Sequence, residues 1–239
     1  MAANVPQKHV SWLETGRSQP SREMIERLSD AMRISLRERN VLLQSAGYSS
    51  GYRETALDEH TMAPVMDALN HVLLHHEPLP ALVVDRFWNV KKKNKGAELL
   101  LGLCDKLDTL LPNVGASKET NLALLTVHPE GLRQYISNWE RPFLRRIRSE
   151  ALATVDPQVQ AQFEEYLALA GAMPESDPST ESLLPVLPLE LNINGLELSL
   201  FSVISTFGTP QDITTDELRI EAFYPTNEAT EQFFKSLQP

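Results

Sequence analysis

The chain has 239 residues, 42% hydrophobic and 23% charged, which suits one large soluble domain or a small one joined to a medium one. Apolar runs such as Ala81–Val84 are too short to span a bilayer, and the opening Met-Ala-Ala-Asn-Val-Pro-Gln-Lys has no apolar core for a signal peptide. The lone Cys104 excludes an internal disulfide framework and a multi-cysteine zinc site, so the composition as a whole points to the cytoplasm.

The first sixty residues hold eight basic and eight acidic side chains, while the remainder holds 14 and 24 and carries the whole net charge of −10. Nucleic-acid contact is therefore expected from the front of the chain. There, Val5, Val10 and Leu13 mark a helical stripe ending at Thr15-Gly16, where Gly16 can take the left-handed conformation. Ser21 is the expected cap of a second helix carrying Met24, Ile25, Leu28, Ala31 and Met32 on one face. Ser35 with Glu38 forms a capping box for a third helix through Leu36, Leu42 and Leu43 to Gly47.

Residues 48–58 read as a polar linker, followed by an amphipathic helix bearing Met62, Val65, Met66, Leu69 and Leu73. Two short strands are expected at 81–85 and 90–94, separated by a turn at 86–89, and then a helix over 96–103. Leu132, Ile136, Trp139, Phe143 and Ile147 are spaced by three or four, which predicts a long helix after His128-Pro129, kinked at Pro142. Another helix is expected over 157–169, and the four prolines of 174–188 suggest an exposed loop. The period then changes to two: Leu187, Leu189, Leu191 and Ile193 lead to Asn194-Gly195, a strong hairpin signal, and Leu196, Leu198 and Leu200 return. Leu218, Ile220, Ala222 and Tyr224 mark a further strand, and 226–237 a closing helix.

The stretch Val5-Pro6-Gln7-Lys8-His9-Val10-Ser11-Trp12-Leu13-Glu14-Thr15-Gly16-Arg17, with Pro20 behind it, resembles the recognition helix of Xre-type helix-turn-helix proteins. In such a helix the leading residues project into the major groove, and basic groups just after it hold phosphates. The resemblance implies that Gln7, Lys8, His9 and Ser11 face base edges and that Arg17 faces a phosphate. In typical members one helix and most of a second precede this one, so the module is expected here in part, truncated at its N-terminus. Pro6 also stands where the family has a serine cap.

Further along, Arg37-Glu38-Arg39-Asn40, Ala46-Gly47-Tyr48 and Pro80-Ala81-Leu82-Val83-Val84-Asp85-Arg86-Phe87-Trp88-Asn89-Val90 resemble helix-turn-helix regulators with an MmyB-like ligand-binding domain. So do His128-Pro129-Glu130-Gly131-Leu132-Arg133, Asn138-Trp139, Thr206-Phe207-Gly208-Thr209-Pro210-Gln211-Asp212 and Glu217-Leu218-Arg219-Ile220-Glu221. That likeness implies an α+β chain with two parts. A small all-α, partial helix-turn-helix module with its linker covers 1–58. A PAS-like ligand-binding domain, an antiparallel sheet covered by helices, covers 59–239. Its ligand would be a fatty acid or similar apolar small molecule. Lys91-Lys92-Lys93 replace mostly apolar family residues, so at least one lysine is expected to point at the covered face unless twist carries it to an edge.

Other chemistry is weaker. His71, His75, His76 and Glu77 invite a metal reading, but a third ligand is not evident. Cys104 with His128 makes a poor nucleophile–base pair, and no phosphate loop or serine elbow is present. Arg141, Arg145, Arg146 and Arg148 read as a salt-linked outer helix face. The expectation is a non-catalytic, ligand-responsive regulator of transcription, a homodimer on double-stranded DNA, with no cofactor beyond a bound apolar effector and no membrane partner. The alternative is a small-molecule or protein-partner binding protein that no longer touches DNA directly. Trp88, Leu132, Ile136, Trp139, Phe143, Leu198, Leu200 and Phe223 are expected near the ligand, with Arg133 or Asn138 as donor to its polar end.

Overall fold

The computed structural model describes residues 5–104, 119–171 and 186–237. Its contacts divide the chain into two compact units, Met1–Pro64 with Phe207–Glu217 and Val65–Thr206 with Leu218–Pro239.

In the N-terminal unit α1 (Gln7–Glu14), α2 (Arg22–Met32) and α3 (Leu36–Ser45) form where the capping signals place them. Ser21 Oγ accepts from Met24 N, and the Ser35–Glu38 capping box is complete. Gly16, at φ 68°, ends α1 in a Schellman turn: Arg17 N donates to Trp12 O and Gly16 N to Leu13 O. α1 itself starts at Pro6 with no side-chain cap. The small core comprises Val5, Ile25, Leu36, Leu43, Met62 and Ile213. Ile213 comes from residues 207–217, which carry a short helix, residues Ile213–Glu217. This segment is stitched to α3 and the linker. Leu36 N donates to Asp216 Oδ2, Thr55 Oγ1 to Asp212 Oδ2, and Arg37 bridges Glu217 and Glu54.

The C-terminal unit opens with α4 (Ala63–His75), then β1 (Ala81–Val84), β2 (Val90–Lys93) and α5 (Lys95–Gly102). After α6 (Leu122–Val127) come α7 (Arg145–Ala153), α8 (Pro157–Ala170), β3 (Leu189–Ile193), β4 (Leu196–Ser205), β5 (Arg219–Pro225) and α9 (Glu228–Ser236). The five strands make one antiparallel sheet in the order β2-β1-β5-β4-β3. The β3–β4 hairpin turns on Asn194 and Gly195, both at positive φ, as a type I′ turn requires. The α+β reading therefore holds, with helices packed on an antiparallel sheet.

Two expectations change. The long helix after His128-Pro129 is replaced by a 3₁₀ turn at Leu132–Gln134 and a segment that runs beside β3. Ser137 N donates to Glu190 O and Asn192 N to Tyr135 O, so this backbone joins the sheet edge rather than a helical ladder. A Cβ on Gly131 would lie 2.0 Å from Leu125 O, which fixes the close approach that starts this path. Helix resumes only at Glu140–Leu144, as a π-turn that accommodates Pro142, which has no N–H to give. β2, secondly, is the edge strand, and its lysines are accommodated there: Lys91 pairs with Asp85 and Glu119, and Lys92 donates to Asn70. Of the proline-rich 174–188 stretch, positions 174–185 lie outside the described residues.

Candidate ligand-binding site

The site is built around a turn. Asp85 Oδ1 accepts from Phe87 N and Asn89 N, Asp85 Oδ2 accepts from Asn89 Nδ2, and Trp88 N donates to Asp85 O. Asn121, the cap of α6, donates to Phe87 O and Asn89 Oδ1, which ties that helix to the turn. These bonds hold Trp88 in the left-handed region, at φ 67°, a conformation that costs a bulky residue about 1–3 kcal/mol and persists where its surroundings impose it. As a result the Trp88 side chain enters the core with no exposed surface.

Trp88 forms one wall of a cavity of about 140 Å³. Leu100, Leu101 and Cys104 from α5 and its end form another side, with Leu122 and Thr126 of α6. Leu132, Ile136, Pro142 and Phe143 come from the irregular stretch and the π-turn, while Leu189 and Leu191 of β3 and Phe201, Ser202, Glu221 and Phe223 of β4 and β5 supply the sheet side. Phe143 meets Trp88 edge to face, with ring centroids 5.3 Å apart. The lining is apolar except for Arg146, Glu221, Ser202 and Thr126, and Thr126 Oγ1 already donates to Leu122 O.

Arg146 and Glu221 are the main electrostatic feature. Arg146 Nη1 donates to Glu221 Oε1 at 2.6 Å, and Arg146 Nε to Glu150 Oε1 at 3.2 Å. Its guanidinium lies 4.0 Å from the Trp88 ring centroid. Glu150 Oε2 accepts from Trp88 Nε1 and pairs with Arg219. Two guanidinium groups thus face two carboxylates, and the cluster balances in charge. Arg146 Nη2 and Glu221 Oε2 are buried and have no hydrogen-bond partner among the described residues. The outer-face expectation for Arg146 is corrected here: the short helix after the π-turn rotates it inward, onto Trp88.

Of the other expected ligand residues, Trp88, Leu132, Ile136, Phe143 and Phe223 line the cavity. Leu198 and Leu200 are buried in the same core but lie outside that wall, and Trp139 packs against the core from its margin. Arg133 sits over the Trp139 ring, 5.4 Å from its centroid. Asn138 is engaged on both sides: its Nδ2 donates to Pro188 O and its Oδ1 accepts from Glu190 N. Neither Arg133 nor Asn138 reaches the cavity wall. Sequence reading placed no ligand residue on the α5 helix it expected, missed α6, and gave Glu221 no role at the site. A carboxylate in register with Leu82 on the neighbouring strand was the available signal.

The histidines near the end of α4 have other partners. His75 Nδ1 contacts His71 O, and His76 Nε2 contacts Phe223 O at 2.9 Å. Among the described residues no group of three His, Cys, Asp or Glu is placed to hold a metal ion. Nor is any described helix long and apolar enough to cross a membrane.

In the N-terminal unit Gln7, Lys8 and Ser11 share one exposed face of α1; Lys8 Nζ lies 4.9 Å from the Trp12 ring centroid. His9 is half-buried, and Arg17 is exposed just past the helix. Beside them an open groove is lined by Leu13, Ile25, Leu28, Met32 and Leu42 among others.

Residues 65–237 match the family described as MmyB-like transcription regulator ligand binding domain. The chain belongs to this family. The match covers the whole sheet, the cavity and the segment 207–217, and it makes the C-terminal unit the ligand-binding domain of a transcription regulator. A comparison with curated proteins finds no match.

Proposed function

We propose that the MmyB-like domain takes an apolar small molecule in the cavity behind Trp88, and that its binding alters how the N-terminal unit meets double-stranded DNA in a homodimer. The observation that carries this reading is the cavity itself, walled by leucine, isoleucine and aromatic side chains. Concave, mostly apolar pockets with a few convergent polar groups are the usual form of small-molecule sites. An apolar cavity of roughly 150 Å³ takes a benzene-sized guest. A volume of about 140 Å³ therefore favours a single ring or a short chain; of the fatty acids, the short-chain end fits. A ligand acts only through its differential affinity for two states. Here β4 and β5, which contribute to the wall, are joined by residues 207–217, part of the N-terminal unit. That continuity of chain supports a link between occupancy and the DNA-binding end.

On the DNA side, the exposed Gln7, Lys8 and Ser11 would meet base edges with His9 beside them, and Arg17 a phosphate. Denaturing extraction of the purified protein followed by mass spectrometry tests the first half of the reading. A stoichiometric small molecule is expected; its absence, with no ligand-induced rise in melting temperature, contradicts it. A gel shift on the DNA upstream of the gene, repeated over a range of salt, tests the second half. A second reading, in which the N-terminal unit meets a protein instead of DNA, is favoured by its apolar surface: Met32, Val41 and Leu42 are 61%, 55% and 40% exposed. Protein–protein capture without any DNA shift would select it.

A further inference from the structure

Side chains of paired antiparallel residues point to the same face of a sheet, and that face repeats every second residue. Leu82 is paired with Glu221, Ser202 with Phe223, and Leu189 and Leu191 with Leu200 and Leu198. The strand periodicity therefore puts Leu82, Glu221, Phe223, Ser202, Leu189 and Leu191 on one face, and all six line the cavity. Ser202 is the single uncharged polar side chain among them. Its hydroxyl forms no hydrogen bond with any described residue. Ser202 is half-buried, and its Oγ, unlike Arg146 Nη2 and Glu221 Oε2, is not a fully covered atom. The other polar groups of the lining have partners within the protein: Thr126 Oγ1 donates to Leu122 O, and Arg146 is spent on Glu221 and Glu150. Ser202 Oγ is thus the hydrogen-bonding group that the described lining leaves to an occupant.

We propose that Ser202 is the polar anchor of the cavity, and that the effector is an uncharged molecule whose apolar body carries an oxygen hydrogen-bonded to the Ser202 hydroxyl. A hydroxyl both donates and accepts, so an alcohol or a carbonyl oxygen satisfies it, while the apolar body lies against Trp88, Phe143 and the leucines of the wall. An ionised carboxylate fits poorly. It would leave water for one neutral hydroxyl, and the guanidinium in the lining is already balanced by carboxylates. The inference rests on the cavity reading above, but it departs from the fatty-acid expectation at the head group.

The test is calorimetric titration of the purified full chain with benzyl alcohol, benzoate and toluene, repeated on Ser202→Ala and Ser202→Thr. The alanine variant is expected to bind benzyl alcohol roughly three- to tenfold more weakly, the worth of one hydrogen bond, and toluene within about twofold of the parent. Ser202→Thr keeps the hydroxyl and is expected to keep the parent's ratio of alcohol to toluene affinity. Benzoate is expected to bind the parent at least about tenfold more weakly than benzyl alcohol at neutral pH. If Ser202→Ala weakens both ligands equally, or neither, Ser202 is not the anchor and the cavity stands. Benzoate binding to the parent as tightly as the alcohol overturns the uncharged head group, whatever the variants do. If toluene and benzyl alcohol both fail to bind the parent, the cavity reading itself fails, and the assignment with it.

Discussion

In the C-terminal unit the large side chains Trp88, Phe163, Phe234, Leu144 and Leu200 all turn inward, and Trp88 also walls the apolar cavity. In the N-terminal unit only a handful of side chains are fully covered, and Met32, Val41 and Leu42 face outward beside an open groove. Both arrangements leave apolar surface that a partner can use, but they suit different partners. A concave, mostly apolar cavity with a few polar lining residues selects a small molecule by shape and hydrogen bonding. An open apolar groove on a three-helix unit suits a macromolecule or a second copy.

If that contrast is right, the C-terminal unit is the more sensitive to truncation. The largest effect is expected for Trp88→Ala, which removes the left-handed anchor, the stacked guanidinium and the bond to Glu150 together. A loss of about 3–5 kcal/mol is predicted, read by urea denaturation, and a loss below 1 kcal/mol would show that the cavity wall is not part of the packed core. Arg37→Ala probes the N-terminal unit instead, where one guanidinium pairs with Glu217 and Glu54. Those carboxylates, Glu217 first, raise the Arg37 pKa by hydrogen bonding, so its guanidinium stays charged across the accessible pH range. Its removal is predicted to cost about 1.5–3 kcal/mol, with the effect seen first as faster amide exchange in α3 and residues 207–217.

Asp156→Ala is expected to cost about 1 kcal/mol, the usual value of an N-cap, since Asp156 Oδ1 accepts from Gln158 N at the start of α8. Burial disfavours the charged carboxyl, but the Gln158 N–H and the Arg86 guanidinium together outweigh it and hold Asp156 below its usual value. A depressed folded value means that this stability is present above the unfolded carboxyl's pKa and is lost as pH falls through the folded one. The gap between parent and variant in thermal melting should therefore close in acid. The smallest effect belongs to Met32→Lys in the open groove. A change within 0.5 kcal/mol is predicted for the isolated chain; a large loss would mean that Met32 is covered in solution and would break the contrast between the two units.

Much of this was legible in the sequence where a short-range rule decides the outcome. Ser21, Ser35 with Glu38, Gly16 and Asn194-Gly195 each specify a local geometry by their own chemistry, and each forms as expected. The spacing of Leu132, Ile136, Trp139 and Phe143 misled because Ile136 lies in backbone that pairs with the sheet. Ile136 bridges to Leu191 at the sheet edge, so the stretch is selected for contact with β3 and not for a helical face. Arg146 and Glu221 were illegible for another reason. Their pairing spans 75 positions, and a lone arginine in an arginine-rich helix looks like surface until the helix's rotation about Pro142 is known. Asn138, in contrast, looked like a ligand donor because its backbone role, bracing Pro188 and Glu190, depends on a strand distant in sequence.

The central claim is that the cavity behind Trp88 binds a small apolar molecule, and the most direct measurement is thermal melting against ligand concentration for the parent chain and for Leu132→Trp. Leu132 is 8% exposed and lines the cavity, so a larger ring there occupies ligand space. With benzyl alcohol as the probe, the parent's melting temperature is predicted to climb with concentration, as binding to the folded state requires, while the variant melts cooperatively at a temperature independent of the probe. A parent that does not respond, or a variant that responds equally, would contradict the account.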